Sequence, residues 1–483
     1  MQTSIGCRKS GSIVRAVRRF SATFVALAMV AAFSVAAAQE RHQVRLNVSG
    51  AIDFALAHHP SLRSRSAIEE STAARVSEAH SAYFPRLDVS GQENRATGNV
   101  VSGSLFTMPG IPQVMGPPTG RQFDSGVWGS AAGFGTSFNI AGLAREMALV
   151  DSAIAERERT RAGTDAQRLT VGFAAADDFM TAVAASETVK AHEANVARAG
   201  VLARIVHAQV ANQLRPGADE SRANAEHALA TTGLIRAEQA LAVGRADLEQ
   251  ALGIAGEPVE LIPEPLLTLP RKTPSVDGVP SNHPLLAQAD SQTAAARARK
   301  RAATLEYLPR VDLAAALWVR GSGLFPGGLN LGQEQGLVPD TPNWAGGIVL
   351  SWPLMDIFAI RARERVEAAN VRLSLSQTDE TMQAIQSQID SARAILDGAR
   401  RVAENTPIAL EAARTGERQA TARYQSGLAG VVEAAEAQRL LVQSEIDDAV
   451  ARLAVWRALL LLARATGDLT PFLVQLNQHQ SPS

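Results

Sequence analysis

"YFPRLDVSG" at Tyr83–Gly91 and "YLPRVDLAA" at Tyr307–Ala315 are one phrase written twice, 224 residues apart. Tyr, Pro, Arg and Asp recur at matched positions with apolar residues between them. A proline pushes the residue before it out of helical conformation, so each phrase ends a helix and hands over to alternating, strand-like text. His59-Pro60 and His283-Pro284 extend the match upstream at the same spacing. Downstream the spacing becomes 214: Ser137 answers Ser351, Asp219 answers Glu433, Ala223 answers Ala437 and Gly253 answers Gly467. Two stretches holding fixed offsets establish an internal duplication, the first copy carrying ten extra residues between about 97 and 126.

The first copy is read over 39–258 and the second over 285–472, with a Pro-rich linker at 259–284 and a tail at 473–483. Seven prolines in the 29 residues from Gly256 to Pro284 keep that linker out of helix. Each copy opens with a helix, from about Leu46 to Ala82 and from about Leu286 to Glu306. Strands are expected at about 86–96 and 126–138, then at about 310–320 and 344–354. "WAGGIVLSWPL" places Trp344, Gly346, Ile348, Leu350, Trp352 and Leu354 on one face and smaller residues on the other. Between the strands of each pair runs Gly/Pro/Ser-rich text, "SGSLFTMPGIPQVMGPPTG" and "GSGLFPGGLNLGQEQG", suited to a hairpin end in solvent. Proline is then absent from Asn139 through Arg215 and from Leu354 through Thr406. A helix of about 70 residues would reach roughly 105 Å. Pro407 reads as a break and restart with Thr406 as cap. A second helix of about 40 residues closes each copy at Gly253 or Gly467.

At the N-terminus, five basic residues precede the uncharged "SATFVALAMVAAFSVAAA", and no acidic residue occurs before Glu40. Residues 1–38 read as a secretory signal peptide cleaved after Ala38, in preference to an uncleaved anchor. Its removal takes away the only cysteine, Cys7, and shifts the formal charge from −1 to −6. The mature chain then has no disulfide and no cysteine for a lipid anchor. An exported, mildly acidic protein is a poor nucleic-acid binder.

Four of the five tryptophans (Trp128, Trp318, Trp344, Trp352) lie in strand text. Tryptophan concentrates at bilayer interfaces, although a small soluble sheet could also hold it in its core. A sheet in lipid must close, four strands cannot, and the smallest membrane barrels use eight. Several chains must therefore contribute; three would give twelve strands, with the long helices forming a tube beyond them.

Signal peptide, two copies of helix–hairpin–long helix–helix, Tyr-x-Pro at each first strand and "SWPLMD" from Ser351 together resemble the TolC-type outer-membrane efflux protein family. The likeness covers about 45 to 472. It implies a mainly α, internally duplicated protein with a pair of membrane β-hairpins. It further implies a homotrimer with a shared twelve-stranded β-barrel in the outer membrane, continued by a periplasmic α-helical barrel. Such a duct passively conducts substrate from an inner-membrane transporter and a periplasmic adaptor, in efflux or type I secretion. The tips, at about 212–219 and 424–433, are then the adaptor-docking turns: Gln213 and Leu214 in one copy, Ser426, Gly427 and Leu428 in the other. Gln213 stands opposite Gly427, so the first copy lacks the turn glycine, and Pro216-Gly217 is expected to make that turn differently. The resemblance also implies acidic rings at the periplasmic mouth, here Glu433, Glu436 and Asp219. The family's basic partner falls at Ala429, leaving Arg215 to pair with Asp219. Glutamates at helical spacing also describe an ordinary solvated face.

No HExxH, nucleophile elbow or phosphate-binding glycine loop is present, and adjacent His58 and His59 point to different sides of a helix. No enzyme, cofactor or metal is expected. A soluble periplasmic coiled-coil adaptor is the alternative from another class.

Overall fold

The computed structural model describes residues 44–97, 126–270, 278–323, 336–352 and 354–480. The expected signal peptide with Cys7, the first hairpin-end loop and most of the second lie outside the described residues, as do linker residues 271–277.

Element lengths repeat between the copies. After β1 (Val44–Leu46) and α1 (Val48–His58), the first copy runs α2 (Pro60–Ser81), β2 (Arg86–Thr97), β3 (Gly126–Asn139), α3 (Leu143–Ala211) and α4 (Gly217–Leu252). After β4 (Val259–Leu261), the second runs α5 (Pro284–Leu305), β5 (Arg310–Ser322), β6 (Thr341–Ser351), a 3-10 turn (Leu354–Asp356), α6 (Ile357–Gln425) and α7 (Val431–Thr466). Helix α8 (Thr470–Gln480) follows. Helices α2 and α5 each have 22 residues, α3 and α6 have 69, and α4 and α7 have 36.

Two sequence expectations fail, one for a local reason and one through packing. The first helix is two helices, because His59 takes an extended backbone before Pro60 and caps α2 through its imidazole. Pro407 does not break α6, which runs through it. Thr406, expected to cap a restart, instead hydrogen-bonds Asp448 on α7 at 3.0 Å, and Ala403 and Leu410 on either side are buried. A proline in a helix interior forfeits one hydrogen bond and costs about 3 kcal/mol. Packing along the rest of a 69-residue helix keeps the chain helical through it.

The hydrophobic core sits part-way along the long helices. Phe179 and Met180 of α3, Leu248 and Leu252 of α4, and Trp456 and Leu460 of α7 are fully buried there. Small residues line the contact: Gly244 of α4 faces the Ala182 backbone of α3, where an added Cβ would sit in ordinary contact at 3.5 Å. Trp456 donates its indole N–H to the Thr268 carbonyl at 2.8 Å and meets Phe472 of α8 edge-on. Arg457 binds Asp177 at 2.5 Å and also reaches Thr181, tying α7 to α3.

Each copy turns from its last helix onto a His-Pro corner. Gly253 and Gly467 end α4 and α7 at φ +78° and +79°. A Cβ at Gly467 would lie 2.8 Å from the rings of both His283 and Pro284, so this C-terminus admits only glycine.

The sheet has the order β2-β3-β5-β6, all antiparallel. Its register puts Leu87, Val89, Phe134, Leu313, Leu317, Trp344, Ile348 and Leu350 on one face, all exposed. Arg86, Asp88, Ser90, Ser137, Asn139, Arg310, Asp312 and Ser351 take the other. An apolar face in solvent opposite a polar one reverses the pattern of a soluble sheet and fits a membrane strand.

Burial pushes the His283 imidazole below its ordinary value of 6.5, a hydrogen bond to the Ala465 backbone opposing it. Neutral Nδ1 accepts the Leu285 N–H at 3.2 Å, and a proton there would abolish the cap. The unfolded chain binds that proton more readily, so this stability is complete above about pH 6.5 and is lost as pH falls toward the folded value. Thermal unfolding should therefore come earlier at about pH 5 than at about pH 7.5. His283→Asn, which can cap without titrating, should reduce that difference; an equal shift in both proteins would contradict the assignment.

Candidate functional site

The two interhelical tips are built alike despite different sequences. In the second, the Leu428 N–H reaches the Arg423 carbonyl at 2.8 Å and the Gly427 N–H reaches Tyr424 at 3.0 Å, with Gly427 at φ +80°. In the first, Leu214 reaches Gln209 and Gln213 reaches Val210, both at 2.9 Å, with Gln213 at φ +61°. Both are Schellman endings. Pro216-Gly217 does not form the turn: Pro216 precedes α4, and Gln213 takes the left-handed position. An L side chain there costs roughly 1–2 kcal/mol. Leu214 and Leu428 stand out from the two tips, 72% and 73% exposed.

Behind the turns lies a joint that the sequence reading missed. Tyr424 is fully buried among Leu202, Val206, Ala223, Val431 and Ala434. Its hydroxyl donates to Gln209 across the copies at 3.0 Å. The Arg215 guanidinium lies 5.4 Å from the Tyr424 ring centre and donates to the Ala429 carbonyl at 3.3 Å. Arg215 therefore bridges the tips and makes no ion pair with Asp219. Burial holds the Tyr424 phenol above its ordinary value; Arg215 pulls it down and Asp219 pushes it up. The available signal was one aromatic three residues before the turn, with aliphatic Val210 at the repeat-related place.

Asp219 and Glu433 each occupy the third position of their helix, where a carboxylate is favoured by the positive end of the helix dipole. Glu433 lies 3.5 Å from Arg423. Glu436 is 3.8 Å from Arg439, whose stronger partner is Glu226 at 2.6 Å. Val432, Glu433, Glu436 and Leu440 line one open groove of about 550 Å³, so both glutamates share a face of α7.

At the sheet, Trp128, Trp344 and Trp352 follow the apolar face, the first two near its loop end and Trp352 just past its helix end. Arg95 covers the Trp128 ring at 5.7 Å. Trp318 is on the polar face, opposite Gly133 and Asn343, and is separated from the other three.

The chain thus combines a four-stranded sheet, apolar on one face, with paired helices of 69 and 36 residues. The chain matches the model of the outer membrane efflux protein family over residues 51–254 and 278–468, and it belongs to that family. Its members are outer-membrane channels of efflux systems rather than enzymes. Sequence comparison with curated proteins finds no match. Among solved structures, the fold is similar to the CmeC outer membrane channel of Campylobacter jejuni, at 14% identity with 89% of each chain covered and a TM-score of 0.70. It is similar to the outer membrane protein VceC of Vibrio cholerae, at 17% identity, 87% of this chain and 96% of that one, TM-score 0.71. The open-state MtrE channel of Neisseria gonorrhoeae gives 18% identity, 87% and 89% coverage, and 0.67. No helix among the described residues is long and apolar enough to cross a membrane.

The strain at the first tip is testable by amide hydrogen exchange. Gln213→Gly should slow exchange of the Leu214 amide, and Gly427→Ala should speed that of Leu428, each about fivefold for about 1 kcal/mol. Equal effects of either sign at both tips would contradict the left-handed assignment.

Proposed function

We propose that three copies of this chain join edge to edge into a twelve-stranded barrel. The assembly serves as the passive exit duct of a tripartite efflux or type I secretion system, docking through its tips to a periplasmic adaptor and an inner-membrane transporter. The observation carrying this reading is the sheet itself: β2 and β6 have one paired side each, and their apolar residues are exposed. In lipid, unpaired strand edges leave every second backbone group unsatisfied, so the edges must meet.

The duplication also supplies the register of that junction. Strand β3 is the repeat equivalent of β6, and β5 of β2, so pairing of β3 with β5 is a template for β6 with the β2 of the next copy. Ser137 opposite Ala314 becomes Ser351 opposite Ser90. Phe138 opposite Leu313 becomes Trp352 opposite Val89, and the bond from Ile140 to Val311 becomes one from Leu354 to Leu87. All four of these apolar residues are at least 62% exposed in the single chain.

At the other end, three-fold repetition of the face carrying Glu433 and Glu436 makes acidic rings that favour cations. Exposed Leu214 and Leu428, with Gln213, Ser426 and Gly427 beside them, are the surface offered to an adaptor.

The mature protein should fractionate with the outer membrane and give a detergent particle of three times the chain mass. The same particle reconstituted with Glu433→Gln and Glu436→Gln should show weaker cation preference. A soluble periplasmic monomer would overturn the duct and favour the adaptor alternative; unchanged preference would return the glutamates to an ordinary solvated face.

A further inference from the structure

The phrase that reveals the duplication contains an Arg-x-Asp whose chemistry the duct reading leaves unused. Arg86 and Asp88 open β2, and Arg310 and Asp312 open β5. Strand alternation puts all four on the polar face. That face is concave at its helix end: Arg86, Ser137, Asn139, Arg310 and Asp312 line a cavity of about 800 Å³ between the sheet and the first turns of α3 and α6. Of the other carboxylates lining it, Asp356 at the start of α6 makes no ion pair among the described residues, whereas Glu306 and Glu146 are engaged. Glu306 is held by Arg363 at 2.8 Å and by Arg145 at 3.5 Å, and Glu146 by Arg145 at 3.1 Å. Among the described residues, Arg86, Asp88, Arg310 and Asp312 take part in no ion pair.

Strands β2 and β5 are first and third in the sheet order. In a closed barrel of three such sheets, every second strand then opens with Arg-x-Asp, and repeat-related residues share one height. Two arginines per chain make six on one level. The six aspartates form a second level about 7 Å farther along the strands. Because β2 and β5 both start at the helix end, the arginine level is the first that cargo meets on leaving the helical tube.

Resting on the trimeric barrel proposed above, we propose that Arg86 and Arg310 form a cationic ring at the base of the barrel, backed by an anionic ring of Asp88 and Asp312. The pair sets the charge selectivity of the passage from helical tube to barrel. Like charges on a low-dielectric protein wall focus their field into the aqueous lumen, where mobile ions respond to it. The arginine ring favours small anions and anionic cargo and holds back cations, opposite in sign to the glutamates at the tips.

The test is the reversal potential of the purified trimer in planar bilayers under a potassium chloride gradient, in the native protein and in a Glu433→Gln/Glu436→Gln background that removes the tip carboxylates. Arg86→Gln/Arg310→Gln should raise the potassium-to-chloride permeability ratio about twofold or more, and Asp88→Asn/Asp312→Asn should lower it. Both shifts should shrink at about 1 M salt, where screening falls to about 3 Å. A ratio unmoved by the arginine pair in the tip-neutral background, from channels that conduct and have trimer mass, would overturn the ring while leaving the duct intact. Absence of both conductance and trimer would instead overturn the duct on which the ring depends.

Discussion

A backbone N–H or C=O in hydrocarbon has no water to bond, and each one left unpaired costs several kcal/mol. Most of the architecture follows from that constraint. Its four strands have a lipid-compatible face and two open edges, so they are stable in a bilayer only when other copies continue the sheet. The helices answer a different requirement. Each satisfies its own backbone, and Ala and Gly on the facing sides allow close approach, so paired helices of about 104 Å and 54 Å extend beyond the membrane without a globular domain around them.

Duplication lets one short design serve twice, and the departures from exact repetition are where the chain is specialised. The His-Pro corners and the closing glycines are kept in both copies. At the tips they diverge: Gly427 turns without strain, whereas Gln213 adopts the same left-handed conformation at an energetic cost. Arg215 and Ala429 are repeat equivalents, yet the arginine of one copy reaches over Tyr424 to the carbonyl of the other.

The fold was legible where the sequence carries periodicity or punctuation. Tyr-x-Pro marks the handover from helix to strand, and proline-free runs mark α3 and α6 as far as Thr406. Contact across the chain was not legible. Pro407 reads as a break on local chemistry, and its retention in α6 depends on packing of the whole helix. Trp318 shares strand text with the other three tryptophans, and strand register puts it on the polar face. Tyr424 and Gln209 lie 215 residues apart, and no local pattern announces their hydrogen bond. Glu433 and Glu436 come from the family resemblance, and their helical spacing alone does not tell a lumen from a solvated face.

Closure between copies is the claim on which the rest depends, and a disulfide tests it most directly. With Cys7 as the only native cysteine, Ser90→Cys and Ser351→Cys introduce one thiol on each sheet edge at positions the repeat register sets opposite one another. Mild oxidation in native membranes should give covalent dimers and trimers on a non-reducing gel, lost on reduction and absent from either single variant. Chains that stay monomeric although both thiols react freely with maleimide would contradict edge-to-edge closure in this register.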